Sequence, residues 1–477
     1  LSIYEFIRLI YKYIDKIMYL EKNKLLPLYK IAEKKSQQQN STIVFSFTQE
    51  INLSTNLISL IDIKLEEDKK KSYWNQQSKG NQFLSFGEIL SLSADQLDKP
   101  SINLNIEKII NDTVNVNETQ HQDIPIFIGG QNFDINKMNI DIWKKYKSAN
   151  YQIPEILILK NNNLSTITFF TLINKDISFD SIYSKLYDDY KIIENFNDNK
   201  NSKMIFKSKK IKVGKKKFNN QITQIKDRIL KNEARKVVLS NIYRYTIQRE
   251  DSYSFLLKSL GNKYPECTIF YFDYLDDGKF LGASPELVLK NTDNQIKIDA
   301  LAGSINNGNT QLEQMENERK LYENEKINDE HNIVIRGIEE ALLEKNIKIK
   351  YGEKHILKLK NIQHLKTSIT AIKNDTKIMD ILDTLSPTPA LSGYPKNESM
   401  KIINQLEEFD RGWYSGSVGY ISNNQNAEFY AGLRSAYIND GYIYIYAGAG
   451  ITIDSNEEDE WMEINSKMNA IDEIINE

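Results

Sequence analysis

Three polar residues near the C-terminus occur at a spacing that places them on one face of a helix. Glu460, Glu463 and Lys467 are at positions i, i+3 and i+7, which form a single stripe on an α-helix. The segment before them, residues 446–453, is strand-like and rich in small residues. Two carboxylates and an amine on one face can bind a metal ion together with an anionic substrate. The same stripe is also typical of a solvent-exposed acidic helix start, which the helix dipole favours.

A further acidic residue, Glu330, begins an apolar stretch within a helix that we predict over residues 312–345. Carboxylates from two separate helices, completed by water, suit Mg²⁺, which prefers oxygen ligands and retains several waters. The neighbouring His331 suggests zinc, but the four histidines show no ligand spacing and Cys267 is the single cysteine. The residues therefore favour magnesium over zinc.

Two strand positions could exchange protons with a substrate. Lys236 leads the apolar run Lys-Val-Val-Leu, where burial disfavours the charged ammonium and the amine can act as a base. Glu286 follows Gly-Ala-Ser-Pro at the mouth of an apolar strand, where burial raises a carboxyl pKa and suits a general acid. A lysine base and a glutamate acid form a plausible pair, although each residue taken alone is more often structural.

Other residues suit contacts with an anion. Arg434 lies in the strand-like run Tyr-Ala-Gly-Leu-Arg-Ser-Ala-Tyr, where a buried guanidinium needs a carboxylate partner and can bind one with two hydrogen bonds. Tyr414 can add a hydroxyl group. Gly303 beside Ser304, and Gly448 after an alanine, lack bulk, so their backbone N–H groups can approach a ligand closely.

The elements that would position these residues change character at about residue 218. A lysine-rich segment at 193–220 precedes this point, and we interpret it as a solvated linker because aromatic residues do not interleave its main run. We therefore divide the chain into residues 1–217, a variable N-terminal half with a helical pattern at 3–17, and residues 218–477, a catalytic region. Ser455 with Glu458 has the pattern of a capping box, which predicts a helix start near residue 456.

The catalytic region predicts strands in adjacent runs with helices between them. The predicted strands are 236–240, 268–274, 280–290, 296–303, 347–358, 364–371, 415–422, 427–437 and 442–451, and the helices, besides 312–345, are 222–229, 377–384, 396–408 and 456–475. Such runs favour an α+β fold with large antiparallel sheets. A dinucleotide-binding fold is excluded because no Gly-x-Gly-x-x-Gly motif follows a strand and opens a helix.

Composition excludes several classes of function. The formal net charge of −3 argues against a general nucleic-acid binder. A single cysteine rules out an internal disulfide and fits a reducing compartment, so we expect a cytoplasmic protein. Uninterrupted apolar runs of spanning length are absent from the sequence, so we expect no membrane span. Monomer and dimer both remain open.

Eight motifs, taken in order, resemble those of the chorismate-utilising enzymes, which include the isochorismate, salicylate, anthranilate and aminodeoxychorismate synthases. The motifs are Lys-Val-Val-Leu-Ser (236–240), Gly-Ala-Ser-Pro-Glu (282–286), Ala-Leu-Ala-Gly-Ser (300–304), Glu-His (330–331), Pro-Thr-Pro-Ala-Leu-Ser-Gly-Tyr-Pro (387–395), Arg-Gly-Trp-Tyr-Ser-Gly (411–416), Gly-Leu-Arg-Ser-Ala (432–436) and the block 447–467. The resemblance covers residues 218–477. It implies the family's fold, in which antiparallel sheets pack as a sandwich with helices on the outside.

The resemblance also implies roles for the residues singled out above. Mg²⁺ would be held by Glu330 and Glu463, with Glu460 in support, and chorismate would be the substrate. Lys236 would activate water as the base, and Glu286 would be the acid. The residues similar to the family's substrate contacts are Gly303, Ser304, Tyr414, Arg434, Gly448 and Lys467.

Two positions discriminate within the family. Lys236 stands where the amine-forming anthranilate type has glutamine, and Ala302 stands where the aminodeoxychorismate type has a nucleophilic lysine. The sequence departs from the family pattern at Ile327, Ser386 and Ser304, and the first two of these departures leave outer-shell details and any lyase activity open. We therefore expect an isochorismate synthase of menaquinone synthesis. Salicylate synthase and a non-catalytic member of the fold are the alternatives.

Overall fold

The structure is a computed structural model. It describes residues 22–476 except for short gaps at 54, 66, 95–97, 120–122, 138, 163, 175–177, 197–204, 212, 250–251, 309 and 360–361. The helical pattern at 3–17 and His121 lie outside the described residues. Among the helices of the described ranges, none combines the length and apolar character needed to cross a membrane.

Strands dominate the described chain. In chain order they are β1 (Ile43–Glu50), β2 (Lys71–Gln76), β3 (Asn81–Phe86), β4 (Leu90–Ser93), β5 (Val114–Asn117), β6 (Pro125–Gln131), β7 (Ala149–Ile153), β8 (Ile156–Asn161), β9 (Leu164–Ile173), β10 (Ile205–Ile211), β11 (Lys236–Arg249), β12 (Thr268–Asp273), β13 (Lys279–Ser284), β14 (Leu287–Thr292), β15 (Gln295–Asn306), β16 (Ile349–Lys358), β17 (Ile362–Ile372), β18 (Gly393–Tyr394), β19 (Ser417–Ser422), β20 (Ala427–Ala431), β21 (Ser435–Asn439) and β22 (Tyr442–Ile451).

The helices connect these strands. They are α1 (Lys22–Gln39), α2 (Lys99–Asp112), α3 (Phe179–Glu194), α4 (Lys215–Leu230), α5 (Tyr253–Lys263), α6 (Gln311–Glu323), α7 (Glu325–Leu343), α8 (Ile378–Leu385), α9 (Lys396–Leu406) and α10 (Glu457–Asn476).

The described strands form two large sheets that are almost entirely antiparallel. The order in the 13-stranded sheet is β10-β11-β22-β21-β13-β12-β2-β3-β8-β9-β1-β5, with β18 beside β11, and in the 9-stranded sheet it is β16-β17-β15-β14-β20-β19-β6-β7-β4. The pair β1–β5 is parallel. Strands from before and after residue 218 meet in both sheets, because β2 pairs with β12 and β6 pairs with β19.

The two sheets face each other across an aromatic core. The ring of Trp74 in β2 lies 5.9 Å from that of Tyr420 in β19 and 5.7 Å from that of Tyr430 in β20. Gln76 donates a 2.6 Å hydrogen bond to Glu428 across the same interface. Helices pack on the outside, with α10 against β22 and α7 against β15. The predicted α+β sandwich with external helices is confirmed.

Two strands predicted as single elements each divide between the sheets. The predicted strand 280–290 becomes β13 in the larger sheet and β14 in the smaller one, whereas 427–437 becomes β20 in the smaller sheet and β21 in the larger one. Pro285 lies at the first crossing and has no N–H for a sheet ladder. Arg434 lies at the second crossing and has a left-handed φ of 42°. Pro285 and Arg434 both border one cavity.

The long helix predicted over 312–345 is two helices, α6 and α7, which meet at Asn324. Asn324 has extended backbone angles (φ −73°, ψ 119°), and its side chain accepts a hydrogen bond from the Ile327 N–H. The residue is therefore the N-cap of α7, a position that asparagine favours strongly. Because of the break, Glu330 lies in the second turn of α7 and not in the middle of one long helix.

The start of α10 agrees with its prediction, but the capping box does not form. Asn456 is the cap, since its Oδ1 accepts a 2.9 Å hydrogen bond from the Glu458 N–H. Ser455 Oγ instead accepts from the Thr452 N–H. Asparagine caps a helix as well as serine does, and here it lies one residue closer to the helix.

The interpretation of residues 193–220 as a solvated linker was wrong in part. Residues 205–211 form the strand β10, which pairs antiparallel with β11 at the edge of the larger sheet. The helix α4 begins at Lys215, whose side chain forms a 2.7 Å ion pair with Glu458 of α10. Lysine content hid the strand, because charged residues are common on edge strands, where they discourage pairing with other chains.

Candidate active site

A cavity lies where the chain crosses between the two sheets, and it holds about 810 Å³ of free space including its opening to solvent. Sites of roughly 300–1,000 Å³ enclose small organic molecules. The structure brings ten of the residues singled out by the sequence to its walls, namely Lys236, Glu286, Gly303, Ser304, Glu330, Tyr414, Arg434, Gly448, Glu463 and Lys467. Their individual roles stay predictions.

Lys236 begins β11 and has only 2% of its side chain exposed. Its Nζ lies 2.8 Å from Oε1 of Glu330, which projects from α7. Burial raises the pKa of Glu330, but the charge and the hydrogen bond of Lys236 outweigh burial and leave this pKa below its ordinary value. The predicted base and a predicted metal ligand therefore contact each other directly.

Room for this ion pair depends on Gly450 in β22, the strand beside β11. A Cβ atom at Gly450 would lie 2.7 Å from Lys236 Cε and 2.8 Å from Glu330 Oε1. Real Cβ atoms essentially never approach other heavy atoms so closely. The absence of a side chain at this position is therefore a steric requirement of the site.

Gly450→Ala should lower kcat about 10–100-fold, because the new methyl group displaces both members of the pair and a misplacement of about 1 Å can have that effect. Steady-state turnover of chorismate, the substrate that the resemblance implies, measures it. Gly261→Ala is the matched control, since a Cβ there meets its nearest neighbour at 3.8 Å and alanine favours the helix α5. Equal activity of the two variants would contradict the steric role of Gly450.

Glu286 lies at the first crossing between the sheets and is 2% exposed. Thr388 donates a 2.8 Å hydrogen bond from its hydroxyl to Glu286 Oε1. Burial raises the pKa of Glu286 to about 7, although the Thr388 bond and the charge of Lys236 act in the opposite direction. The carboxyl group can therefore hold a proton near neutral pH and release it, as a general acid must.

Arg434 lies at the second crossing, and its guanidinium borders the cavity. Its Nη2 lies 3.4 Å from Nε2 of His364, and its charge lies over the ring of Tyr264 with 5.6 Å to the centroid. His364 Nδ1 lies 2.9 Å from Ser304 Oγ. Among the described residues Arg434 has no acidic partner, so its fork is available for the carboxylate of a ligand.

The contacts of His364 with Arg434 and Ser304 define the charge and the tautomer of its imidazole. Burial, followed by the positive charges of Arg434 and Lys467, lowers the pKa of His364 well below its ordinary value. The ring is therefore neutral, and its Nε2 must accept, because the Arg434 guanidinium can only donate. His364 Nδ1 consequently carries the hydrogen and faces Ser304 Oγ.

Of the three residues on the α10 stripe, Glu463 and Lys467 line the cavity and Glu460 does not. Lys467 Nζ contacts Glu463 Oε1 at 2.6 Å and donates to the Gly448 carbonyl at 3.0 Å. Burial lowers the pKa of Lys467, but Glu463 outweighs burial and raises it above its ordinary value. Glu460 is not among the residues that line the cavity, and it lies 3.8 Å from Lys326 of α7.

The residues present fit a divalent cation. Glu330 and Glu463 both border the cavity, and burial, then the charge of Glu463, raises the pKa of the neighbouring Glu460 to about 7. Burial is the larger cause of this shift, and a cation would relieve the part that comes from the charge of Glu463. No group of three or more His, Cys, Asp or Glu residues in the described ranges is arranged as a metal centre. An ion here would thus need water and substrate oxygens as well, as Mg²⁺ prefers, and magnesium stays a prediction.

The remaining walls are aromatic or small. Tyr414 is buried and stacks on Tyr446, with ring centroids 5.0 Å apart. A Cβ at Gly448 would come within 3.0 Å of the Tyr414 hydroxyl. Gly303 has a φ of 75° and lies at a bulge in the pairing of β15 with β17, where a side chain would strike Ile327 at 2.6 Å. These positions keep the cavity open.

Sequence reasoning missed two residues of the site. Thr388, inside the Pro-Thr-Pro motif, contacts Glu286, and His364 contacts Arg434. Both partners are far away in sequence, so the spacing carried no signal. The motif itself was the available indication for Thr388, since a threonine between two prolines in a buried loop is held rigidly.

A family model described as chorismate binding enzyme matches residues 30–476. The chain therefore belongs to the chorismate binding enzyme family. The solved structure of MenF, described as the menaquinone-specific isochorismate synthase from Escherichia coli, covers 94% of this chain and all of that one, with a TM-score of 0.75 and 21% identity. At that identity the match shows the fold.

Curated relatives fall into more than one activity. Anthranilate synthase component 1 of Saccharolobus solfataricus is 32% identical over 243 residues, which are 49% of this chain and 56% of the relative. Isochorismate synthase MenF of Escherichia coli K12 is 33% identical over 201 residues, which are 42% and 46%. The chain thus spans about half the length of these relatives in the aligned regions, and the particular reaction has to be argued from the site.

Proposed function

We propose that this protein is an isochorismate synthase, which converts chorismate to isochorismate by adding water at ring carbon 2 and removing the 4-hydroxyl group. The observation that carries the proposal is the presence of Lys236 and Glu286 in the walls of one cavity, both buried. A lysine at the position of Lys236 suits activation of water. The amine-forming anthranilate type of the resembled family has glutamine there.

The proposed reaction balances without an added oxidant or reductant. Lys236 must be a neutral amine for this step, released from its ion pair with Glu330; it then takes a proton from a water molecule, whose oxygen forms a bond to carbon 2. The ring double bonds shift, the bond between carbon 4 and its hydroxyl oxygen breaks, and Glu286 gives that oxygen a proton. One water enters and one leaves, so substrate and product are isomers. Both side chains then return to their starting states by proton exchange with solvent.

Positive groups on several walls would hold the dianionic substrate. Arg434 suits the enolpyruvyl carboxylate because its guanidinium faces the cavity without an acidic partner among the described residues. Tyr414, Lys467 and the small residues at Gly303 and Gly448 would contact the rest of the substrate. These contacts orient the ring between base and acid, which is itself a large part of catalysis.

Mg²⁺ belongs to the proposal as the cofactor, with Glu330 and Glu463 as ligands and Glu460 in support. When bound, the ion would neutralise the ring carboxylate of the substrate and fix its position. A place in menaquinone synthesis and in the cytoplasm remains part of the same proposal, as does action on chorismate as a small molecule. Family membership supports chorismate as the substrate, and the charge of Glu463 acting on the buried Glu460 supports a bound cation.

Product identity tests this function. Purified protein is incubated with chorismate and Mg²⁺, once alone, once with ammonium and once with EDTA, and products are separated by chromatography. We expect isochorismate in the first two reactions and none with EDTA. Fluorescent salicylate without a second enzyme would show a salicylate synthase instead, and anthranilate in the ammonium reaction would overturn water as nucleophile. No turnover by folded protein would indicate a non-catalytic member.

A further inference from the structure

Thr388 is a buried residue that is held by hydrogen bonds at both its backbone carbonyl and its side-chain hydroxyl. It belongs to the loop between α8 and β18 and is 0% exposed. Its carbonyl accepts hydrogen bonds from the Leu391 N–H at 2.9 Å, the Ser392 N–H at 3.0 Å and the Ser392 hydroxyl at 2.9 Å. Its hydroxyl is therefore presented from a closed turn that has little freedom to move.

The hydroxyl of Thr388 contacts Glu286 at 2.8 Å through Oε1. Within the described chain Glu286 is the acceptor found for this hydroxyl proton. When Thr388 donates to Oε1, the proton of the neutral carboxyl group is favoured on Oε2, because a carbonyl oxygen accepts a hydrogen bond better than a protonated oxygen does. The bond thus distinguishes two oxygens that are otherwise equivalent.

Charged groups approach Glu286 from three further elements. Lys236 of β11 and Lys467 of α10 favour the carboxylate, whereas Asp299 of β15 opposes it. Burial is the largest influence and brings the pKa of Glu286 to about 7, and the Thr388 bond is the largest influence in the other direction. Thr388 therefore affects both where the proton sits and how readily it leaves.

We propose that Thr388 is a positioning residue for proton delivery, which keeps Oε1 of Glu286 occupied so that Oε2 gives its proton to the departing hydroxyl oxygen. This inference rests on the proposed function, in which Glu286 is the acid. The proton moves from Oε2 to the leaving oxygen as the carbon–oxygen bond breaks, and Thr388 then stabilises the carboxylate that remains.

Thr388→Val tests the inference because valine has a similar shape and no hydroxyl. We expect kcat to fall about tenfold, the usual effect of losing one hydrogen bond of about 1.4 kcal/mol, while KM stays within twofold. The bond lowers the pKa of Glu286, so its loss should move the alkaline limb of the pH–kcat profile to higher pH. Thr388→Ser, which restores the hydroxyl, should restore both.

A measurement without turnover separates this inference from the proposed reaction. Infrared difference spectra between an enzyme and its Glu286→Gln counterpart follow the protonated carboxyl band of Glu286 with pH, and the band should persist to higher pH in the Thr388→Val protein. Such a shift, without isochorismate as the product, would refute the reaction and leave the contact supported. An unmoved band and an unmoved pH limb would overturn the role of Thr388.

Failure of the serine variant to restore the profile would also overturn it, because packing alone would then explain the loss. Melting temperatures show whether Thr388→Val folds. If it does not, Thr388→Ala takes its place, since a smaller side chain removes the same hydroxyl without adding bulk to the turn. We expect the same shift of the pH limb for this variant.

Discussion

Glu286→Gln should lower kcat for isochorismate formation about 10²–10⁴-fold, which is the usual contribution of a general acid. Glutamine keeps the size of the side chain and can still accept the Thr388 hydrogen bond, but it has no proton to give to the leaving hydroxyl. KM should change little, since Arg434 and the other proposed substrate contacts are untouched. Steady-state kinetics with chorismate and Mg²⁺ provide the measurement.

Glu428→Gln is the matched control for this variant. Glu428 is 1% exposed and lies within the sandwich, where it contacts Lys79 at 3.0 Å and Lys290 at 3.1 Å, away from the cavity. Its substitution should lower the melting temperature and leave kcat per folded molecule unchanged. If both glutamine variants kept wild-type turnover, Glu286 would not be the acid.

The pH dependence of the wild type follows from the same carboxyl group. Burial raises the pKa of Glu286 from an ordinary 4.5 to about 7, and the protonated form is the active one. Turnover should therefore be retained below pH 7 as far as this group is concerned, and decline as pH rises through about 7. The group also stabilises the fold below pH 4.5, and this contribution is lost towards pH 7. Glu286→Gln lacks this titrating group, so its melting temperature should not show this loss between acidic pH and pH 8.

Lys236→Gln should also lower kcat about 10²–10⁴-fold, because the variant has no amine to take a proton from water. The same change removes the partner of Glu330, whose pKa is held down by Lys236, so a lower melting temperature is expected as well. Turnover of chorismate under saturating Mg²⁺, corrected for the folded fraction, measures the catalytic part.

The control for Lys236→Gln is Lys69→Gln, which removes another buried ammonium. Lys69 has 5% of its side chain exposed and contacts Asp189 at 2.7 Å, and it does not line the cavity. Breaking a buried ion pair costs roughly 3–5 kcal/mol, so both variants should melt earlier. Only the change at Lys236 should reduce turnover of the folded enzyme, and undiminished water addition there would reject it as the base.

Much of the site was predictable because its motifs are local. Each motif is a short run in which the residue for chemistry sits beside small or apolar neighbours, as Glu286 does after Pro285. Ten of the proposed residues indeed border one cavity. Glu460 was included because it shares the helical stripe of Glu463, but it does not line the cavity, and its carboxyl interacts with that of Glu463.

The errors arose where local patterns compete with distant partners. Alternation of side chains predicts a strand but does not say which sheet it joins, so the crossings at Pro285 and Arg434 were not predicted. Asn324 was predicted to lie inside one long helix, because the sequence alone does not show whether such an asparagine continues a helix or caps the next one. Lysines at 205–211 concealed a strand whose pairing with β11 supplies its stability.

The sequence by itself determined the kind of protein: an α+β chain whose ordered motifs are those of a chorismate binding enzyme, with a lysine, three glutamates and an arginine at the expected places. Tertiary structure decided which of these groups contact one another. It paired Lys236 with Glu330 and Thr388 with Glu286, and it set His364 against Arg434. These contacts depend on strands that cross between sheets, and such long-range packing leaves no periodic signal in the chain.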